Sequence, residues 1–250
     1  MPIWQELSWP RIKECAEKGC VVIVPVGVIE QHGHHLPLDT DAFISQEIAR
    51  AAARRDPEIL VGPTVPFGFT PSNKNFPGSI SLTAATWMAL IREIVRSVHR
   101  HGFTRIALLN GHGGQVALSR SVVAALQDEE GIRAVVLNWF GLVDKDMGRL
   151  FPDEKMPGAR VGHAGAVETS MNLHLREELC AQGSLVTHLG PQMPAFVSKV
   201  GGYVQTPRED LSPSGVMGDP TLASREKGGE LFELAVERLC AFAREYRETE

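Results

Sequence analysis

Three short stretches hold the side chains best suited to chemistry. Residues 27–41 read G-V-I-E-Q-H-G-H-H-L-P-L-D-T-D, residues 110–115 read N-G-H-G-G-Q, and residues 163–170 read H-A-G-A-V-E-T-S. Carboxylate oxygen combined with imidazole nitrogen suits Zn, Mn or Fe better than a thiolate site would. Glu30 and His32 are two apart, so in extended backbone they point to the same side, a geometry that suits metal ligands. With Asp41, His112 and Glu168 they make two imidazoles and three carboxylates, enough for two divalent ions if one carboxylate bridges. Asp41 is the expected bridge. A pair of ions about 3.5–4 Å apart can share a hydroxide and polarise a carbonyl together. A single Zn with three ligands and an open position does similar work. His163 is a candidate acid/base or oxyanion donor beside the metals.

Each residue has a plainer reading. A single histidine after a strand is more often a loop or core residue than a ligand, and a glutamate in the first turns of a helix is favoured by the helix dipole alone. The glycines on both sides of His112 shift the balance, because they let backbone come close to a metal or substrate. Gly113 and Gly114 are weak substrate-binding candidates for that reason, as are Gly78, Ser79 and Trp139. For Gly78 a tight turn is the commoner explanation. His99 and His101 end a helix, where a positive charge favours the dipole.

These side chains need elements to position them. The apolar, β-branched run Cys20–Val26 predicts a buried strand that delivers Glu30 and His32 to its carboxyl end. Further strands are expected at 59–65, 105–109 and 134–138. Helices are expected over 8–18, 41–55, from a Thr83 cap to 99, over 116–126, around Glu168 to about 179, and from an Asp219-Pro220 start to about 246 with Gly228-Gly229 as a weak point. Residues 67–79 and 141–162 read as long loops, and the charges of the second read as mostly solvated. The stretch 190–218 is Gly/Pro-rich. Alternating strands and helices imply an α/β fold with a largely parallel sheet covered on both faces. Ligands of such sheets bind outside the carboxyl ends of the strands, so the clusters at 30–41 and 110–115 should converge on one crevice.

Composition narrows the function classes. The 250 residues are expected to form a single domain, 1–250, and 43% hydrophobic with 22% charged residues is ordinary globular composition. A net charge of -5 and no basic run argue against a nucleic-acid partner. Four scattered cysteines without a C-x-x-C pair, no signal-like start and no membrane-length apolar stretch imply a cytoplasmic protein without a membrane partner.

The three stretches, in this order and spacing, resemble the creatininase (creatinine amidohydrolase) family, and the closing G-V-M-G-D-P-T-L-A-S-R-E-K-G-G resembles that family's last segment. The likeness runs from about residue 20 to the end. It implies a three-layer α/β/α sandwich, a homo-oligomer that is commonly a hexamer, and a dinuclear site that hydrolyses an amide carbon–nitrogen bond. By the same resemblance Glu30 and His112 hold one ion and His32 and Glu168 the other. Asp41 bridges them, and His163 is the acid/base on the substrate side. Three positions depart from the family pattern. His34 stands where proline is frequent, as an extra donor or a surface imidazole. Gln115 replaces a frequent asparagine, and Gly114 stands where creatinine-opening members have glutamate. The expected substrate is therefore a small cyclic amide or formamide rather than creatinine itself. The alternatives are a family peptidase that matures a peptide-derived redox cofactor, a deformylase of a pyrimidine intermediate, or a non-catalytic metal-binding protein.

Overall fold

Four largely apolar runs become β1 (Val21–Val26), β2 (Ile59–Val61), β3 (Ile106–Asn110) and β4 (Ala134–Asn138). The computed structural model describes residues 2–154, 162–190, 197 and 204–249. The strands lie in the order β2-β1-β3-β4, and every pair is parallel. Parallel neighbours need crossovers, which helices supply. In chain order the helices are α1 (Trp9–Glu17), α2 (Thr40–Arg55), α3 (Ala84–Arg100), α4 (Val116–Glu130), α5 (Trp139–Leu142), α6 (Asp144–Leu150), α7 (Ala166–Arg176), α8 (Arg208–Leu211) and α9 (Arg225–Glu248).

Alternation along each strand divides the apolar residues between two cores. Val21 and Ile23 of β1, with Ala107 and Leu109 of β3, face α2, α7 and α9. Val22, Val24 and Val26, with Ile106 and Leu108, face α1, α3 and α4. The sheet is thus the middle of three layers, as expected. Pro25 is unusual in an inner strand because it cannot donate to a ladder. β2 pairs with β1 only as far as Val61 opposite Ile23, so beyond that point no partner strand requires the missing donor.

Several element boundaries differ from expectation. The second strand stops at Val61 rather than residue 65, because Gly62-Pro63 breaks it, and Val65 returns only as a single bridge to Val26. The supposed loop at 141–162 is helical as far as Leu150. Val143, Met147 and Phe151 follow a helical spacing into the core, and the surrounding charges mask that pattern. Those charges are not simply solvated: Asp146 pairs with Arg238, and Glu154 accepts from the backbone N–H of Ala166 at 2.8 Å, capping α7. The remainder of that loop, 155–161, lies outside the described residues, as do 191–196 and 198–203 of the Gly/Pro-rich stretch. Asp219 caps a short turn at Pro220–Leu222, and α9 starts later, with Ser224 accepting from Lys227 N–H. Gly228 is a contact point rather than a weak point. A Cβ there would lie 1.9 Å from the Ser170 carbonyl oxygen, so the absence of a side chain lets α9 cross α7 backbone to backbone.

Candidate metal centre

The carboxyl ends of β1 and β3 lie side by side, with Val26 paired to Asn110. The segment leaving β1 carries Glu30 and His32, and the one leaving β3 carries His112. Asp41 enters from the first turn of α2, whose amino end is drawn against both strand ends by two glycines. A Cβ on Gly27 would come within 2.4 Å of Ala42 N, and one on Gly111 within 2.2 Å of the Asp41 carbonyl oxygen. Glu168 comes from the first turn of α7. His163 is fixed just before it by paired backbone hydrogen bonds with Met217, 2.7 and 2.8 Å long.

Six side chains from four parts of the chain therefore meet in one buried cluster. Three donor groups converge within it: Glu30 with Asp41 and His112, His32 with Asp41 and Glu168, and Glu30 with His32 and His163. Asp41 belongs to two of them, with Oδ1 lying 3.2 Å from His32 Nε2 and Oδ2 3.0 Å from His112 Nδ1. The third group brings the His163 ring into the cluster itself, with its centroid 4.4 Å from that of His32.

Each donor is aimed by a neighbour. Glu30 Oε2 accepts from Thr70 Oγ1 and from Asn73 Nδ2, whereas its Oε1 is buried without a hydrogen bond. That free oxygen faces His112 Nδ1 at 3.3 Å and His163 Nδ1 at 3.5 Å. His32 places Nδ1 3.1 Å from the Glu30 carbonyl oxygen, to which it donates, leaving Nε2 for the cluster. The Glu168 carboxylate accepts from Ala164 N–H at 2.6 Å. His163 Nε2 lies 2.6 Å from the Gln31 carbonyl oxygen and 2.8 Å from Gln31 Nε2. The Gln31 amide hydrogens go to Asn73 Oδ1 and the Gly215 carbonyl oxygen. His163 Nε2 therefore carries the proton and donates to the Gln31 carbonyl, and Nδ1 keeps its lone pair toward Glu30.

Electrostatics show what the cluster lacks. Burial favours the neutral forms, but Asp41, Glu168 and Glu30 override it at His32, and Glu30 and Asp41 override it at His112. Both imidazoles are held up at about 10. Burial would also raise Glu30, yet the His112, His163 and His32 rings keep it well below the usual carboxylate range. Burial lifts Glu168 to about 7, and burial together with His32 pushes His163 down to about 3. Protons on His32 and His112 thus supply positive charge where three carboxylates converge. Divalent cations would do the same, and an orphaned buried carboxylate oxygen facing two imidazole nitrogens fits such an ion.

The weaker candidates fall in different places. Gly78 is exposed, has φ +87° and lies against Leu38, which matches a tight turn. Ser79 Oγ accepts from Gln31 N–H at 2.9 Å and so braces the ligand segment. Gly113 and Gly114 are exposed beside His112, and a Cβ on Gly114 would meet His112 Nε2 at 2.5 Å. Trp139 is set among the core side chains, 1% exposed, rather than in the donor groups. His34 is exposed and belongs to none of those groups, while His35 is buried against Thr169 Oγ1. His99 Nδ1 lies 3.2 Å from the Phe103 carbonyl oxygen, in keeping with a structural role. Sequence reasoning missed Thr70, Asn73 and Gln31. Gln31 sits between two ligand candidates and the others lie in the loop at 67–79, but no local pattern distinguishes a polar loop residue that turns inward.

A parallel α/β sandwich that gathers carboxylates and imidazoles at its strand ends has donor groups that could hold divalent ions. The chain belongs to the Creatininase family: that family's profile, described as creatinine amidohydrolase, matches residues 5–243. Creatinine amidohydrolase of Pseudomonas putida is 31% identical over 96% of this chain and 95% of its own length. The mycofactocin precursor peptide peptidase of Mycolicibacterium smegmatis is 33% identical over 85% of this chain and 79% of its own. Among solved structures, a creatinine amidohydrolase (creatininase) superposes with a TM-score of 0.85 at 28% identity, covering 99% of this chain and 98% of that one. Similar solved chains include a Zn-Zn type mutant creatininase and a creatininase described as Mn.

Proposed function

We propose that this hydrolase cleaves the carbon–nitrogen bond of a small non-peptide amide or formamide with two divalent ions bound. Glu30 and His112 would hold one ion and His32 and Glu168 the other, with Asp41 within reach of both. The observation that carries this reading is the sharing of Asp41 between two donor groups, one oxygen toward each imidazole. Bound ions of this kind lower the pKa of water and polarise a carbonyl oxygen. The protein's own part is positional. Thr70 and Asn73 hold Glu30 by one oxygen so that the other stays aimed inward. Gln31 fixes the tautomer of His163 and leaves Nδ1 as the acid/base on the substrate side, and the part of its depression that comes from the charged His32 ring is lifted when that ring gives up its proton.

Elemental analysis of protein purified without chelator should give about two ions per chain, falling to about one in Glu168→Ala. Alanine at Glu30, Asp41 or His112 should remove most of both metal and turnover. A single tightly held ion untouched by Glu168→Ala would overturn the dinuclear assignment, and unchanged turnover in all three alanine variants would overturn the site. Creatinine is not the preferred substrate, because Gly114 offers no carboxylate beside His112. A second reading is the release of a fragment from a short precursor peptide. It is favoured by the likeness to the mycofactocin peptidase and by the open space at Gly113, where a Cβ would meet nothing within 4 Å. Turnover of short peptides but not of small amides would select it.

A further inference from the structure

Helix α8 is tied to the segments that build the metal centre. Arg208 N–H donates to the Ser72 carbonyl oxygen at 2.8 Å, between Thr70 and Asn73, the two residues that grip Glu30. A few residues on, the Gly215 carbonyl accepts from Gln31, and Met217 pairs with His163. The backbone at Arg208 is thus held by the same loops that position Glu30 and His163.

The Arg208 side chain is half-buried, its Nε is fully enclosed without a hydrogen-bond partner, and no carboxylate among the described residues forms an ion pair with it. Arg176 and Arg247 also leave one buried nitrogen without a partner, but both are ion-paired, Arg176 with Asp39 and Arg247 with Asp56 and Glu58, and Arg208, among the described residues, is not. The charges that act most strongly on His163 are His32, Glu30, Arg208 and Asp41, and Arg208 in turn feels Glu30 and Glu168. Arg208 is thus anchored through its backbone on the loop that grips Glu30, and its side chain pairs with none of the cluster's carboxylates. A guanidinium withdrawn from water needs an acceptor, and its planar fork matches a carboxylate in two parallel hydrogen bonds.

We infer that Arg208 is a specificity residue that grips a carboxylate on the substrate, so that the amide hydrolysed here is an anionic one. The inference rests on the proposed dinuclear reading. Glu30, Asp41 and Glu168 bring three negative charges and two divalent ions bring four positive ones, so the loaded centre with Arg208 carries a surplus that a neutral amide leaves unbalanced. One guanidinium suits one carboxylate.

Calorimetric titration of the zinc-loaded protein with N-acetylglycine, and separately with the neutral N-acetylglycinamide, tests this. Wild type should bind the acid at least about ten-fold more tightly than the amide. Arg208→Gln should bring the two within about two-fold, and Arg208→Lys, which keeps the charge but loses the fork, should fall between. No preference in wild type, including no binding of either compound, overturns the inference. So does a preference that survives in Arg208→Gln with its metal still bound, since the ions alone would then be selecting the carboxylate. Metal content of the same samples reports separately on the dinuclear reading, so the two failures are distinguishable.

Discussion

Glu30 has one oxygen held by Thr70 and Asn73 and one left bare toward two imidazoles, and this division is what makes it a directional donor. Thr70 contributes only a hydroxyl, and removing it should leave the fold intact. Thr70→Val keeps the shape but leaves Glu30 Oε2 with Asn73 alone, freeing the carboxylate to rotate. Outer partners of this kind are worth about 10–100-fold in metal affinity. Competition against a chromophoric chelator should show a loss of that order in Thr70→Val, with the thermal midpoint of the metal-free protein moved by no more than a few degrees. An unchanged affinity would mean that Asn73 alone orients Glu30.

The position of α7 decides where Glu168 and His163 stand, and two contacts set it. Arg176 donates to Asn172 and to Asp39 ahead of α2 while its guanidinium lies 3.7 Å above the Phe43 ring, which locks α7 to the helix that carries Asp41. On the opposite side Gly228 lets α9 touch the α7 backbone at Ser170. Gly228→Ala cannot be absorbed by turning a flexible side chain, because the obstruction is a carbonyl. The helices must separate, at a cost of about 3 kcal/mol. Urea unfolding should show that loss, together with weaker retention of the ion that depends on Glu168. A neutral or stabilising effect would show that α7 shifts without consequence for the site.

At the scale of the whole molecule, the cluster links folding, protonation and metal. His32 and His112 have folded-state pKa values of about 10, above the ordinary 6.5. Their contribution to metal-free stability is therefore fully present below about pH 6.5 and is lost as pH rises toward 10. Binding ions requires both rings to give up those protons, so affinity should rise with pH. Zinc titrations at pH 8 in buffers of different ionisation heat should reveal release of about two protons per chain. Denaturant midpoints of the metal-free protein should fall between pH 7 and 10, while the loaded protein changes less. Proton release near zero would show that the rings are already neutral without metal.

The elements with strong local signals were legible before any coordinates. The apolar runs at 21–26, 106–110 and 134–138 and the Thr83 cap of α3 are patterns written in neighbouring residues, as are the clustered donors and the glycines beside His112. Periodicity and residue chemistry act over a few positions, and the sequence carries them directly. α5 and α6 were hidden because their apolar residues are interleaved with charges whose partners, Arg238 among them, lie far along the chain. The same distance concealed Thr70, Asn73 and Gln31 around the site and the core position of Trp139. Only the tertiary structure decided that His163 joins the donor cluster and that Asp41 reaches both His32 and His112. Those relations depend on how closely α2 can approach two strand ends, a matter of backbone contact at Gly27 and Gly111 that no single stretch of sequence contains.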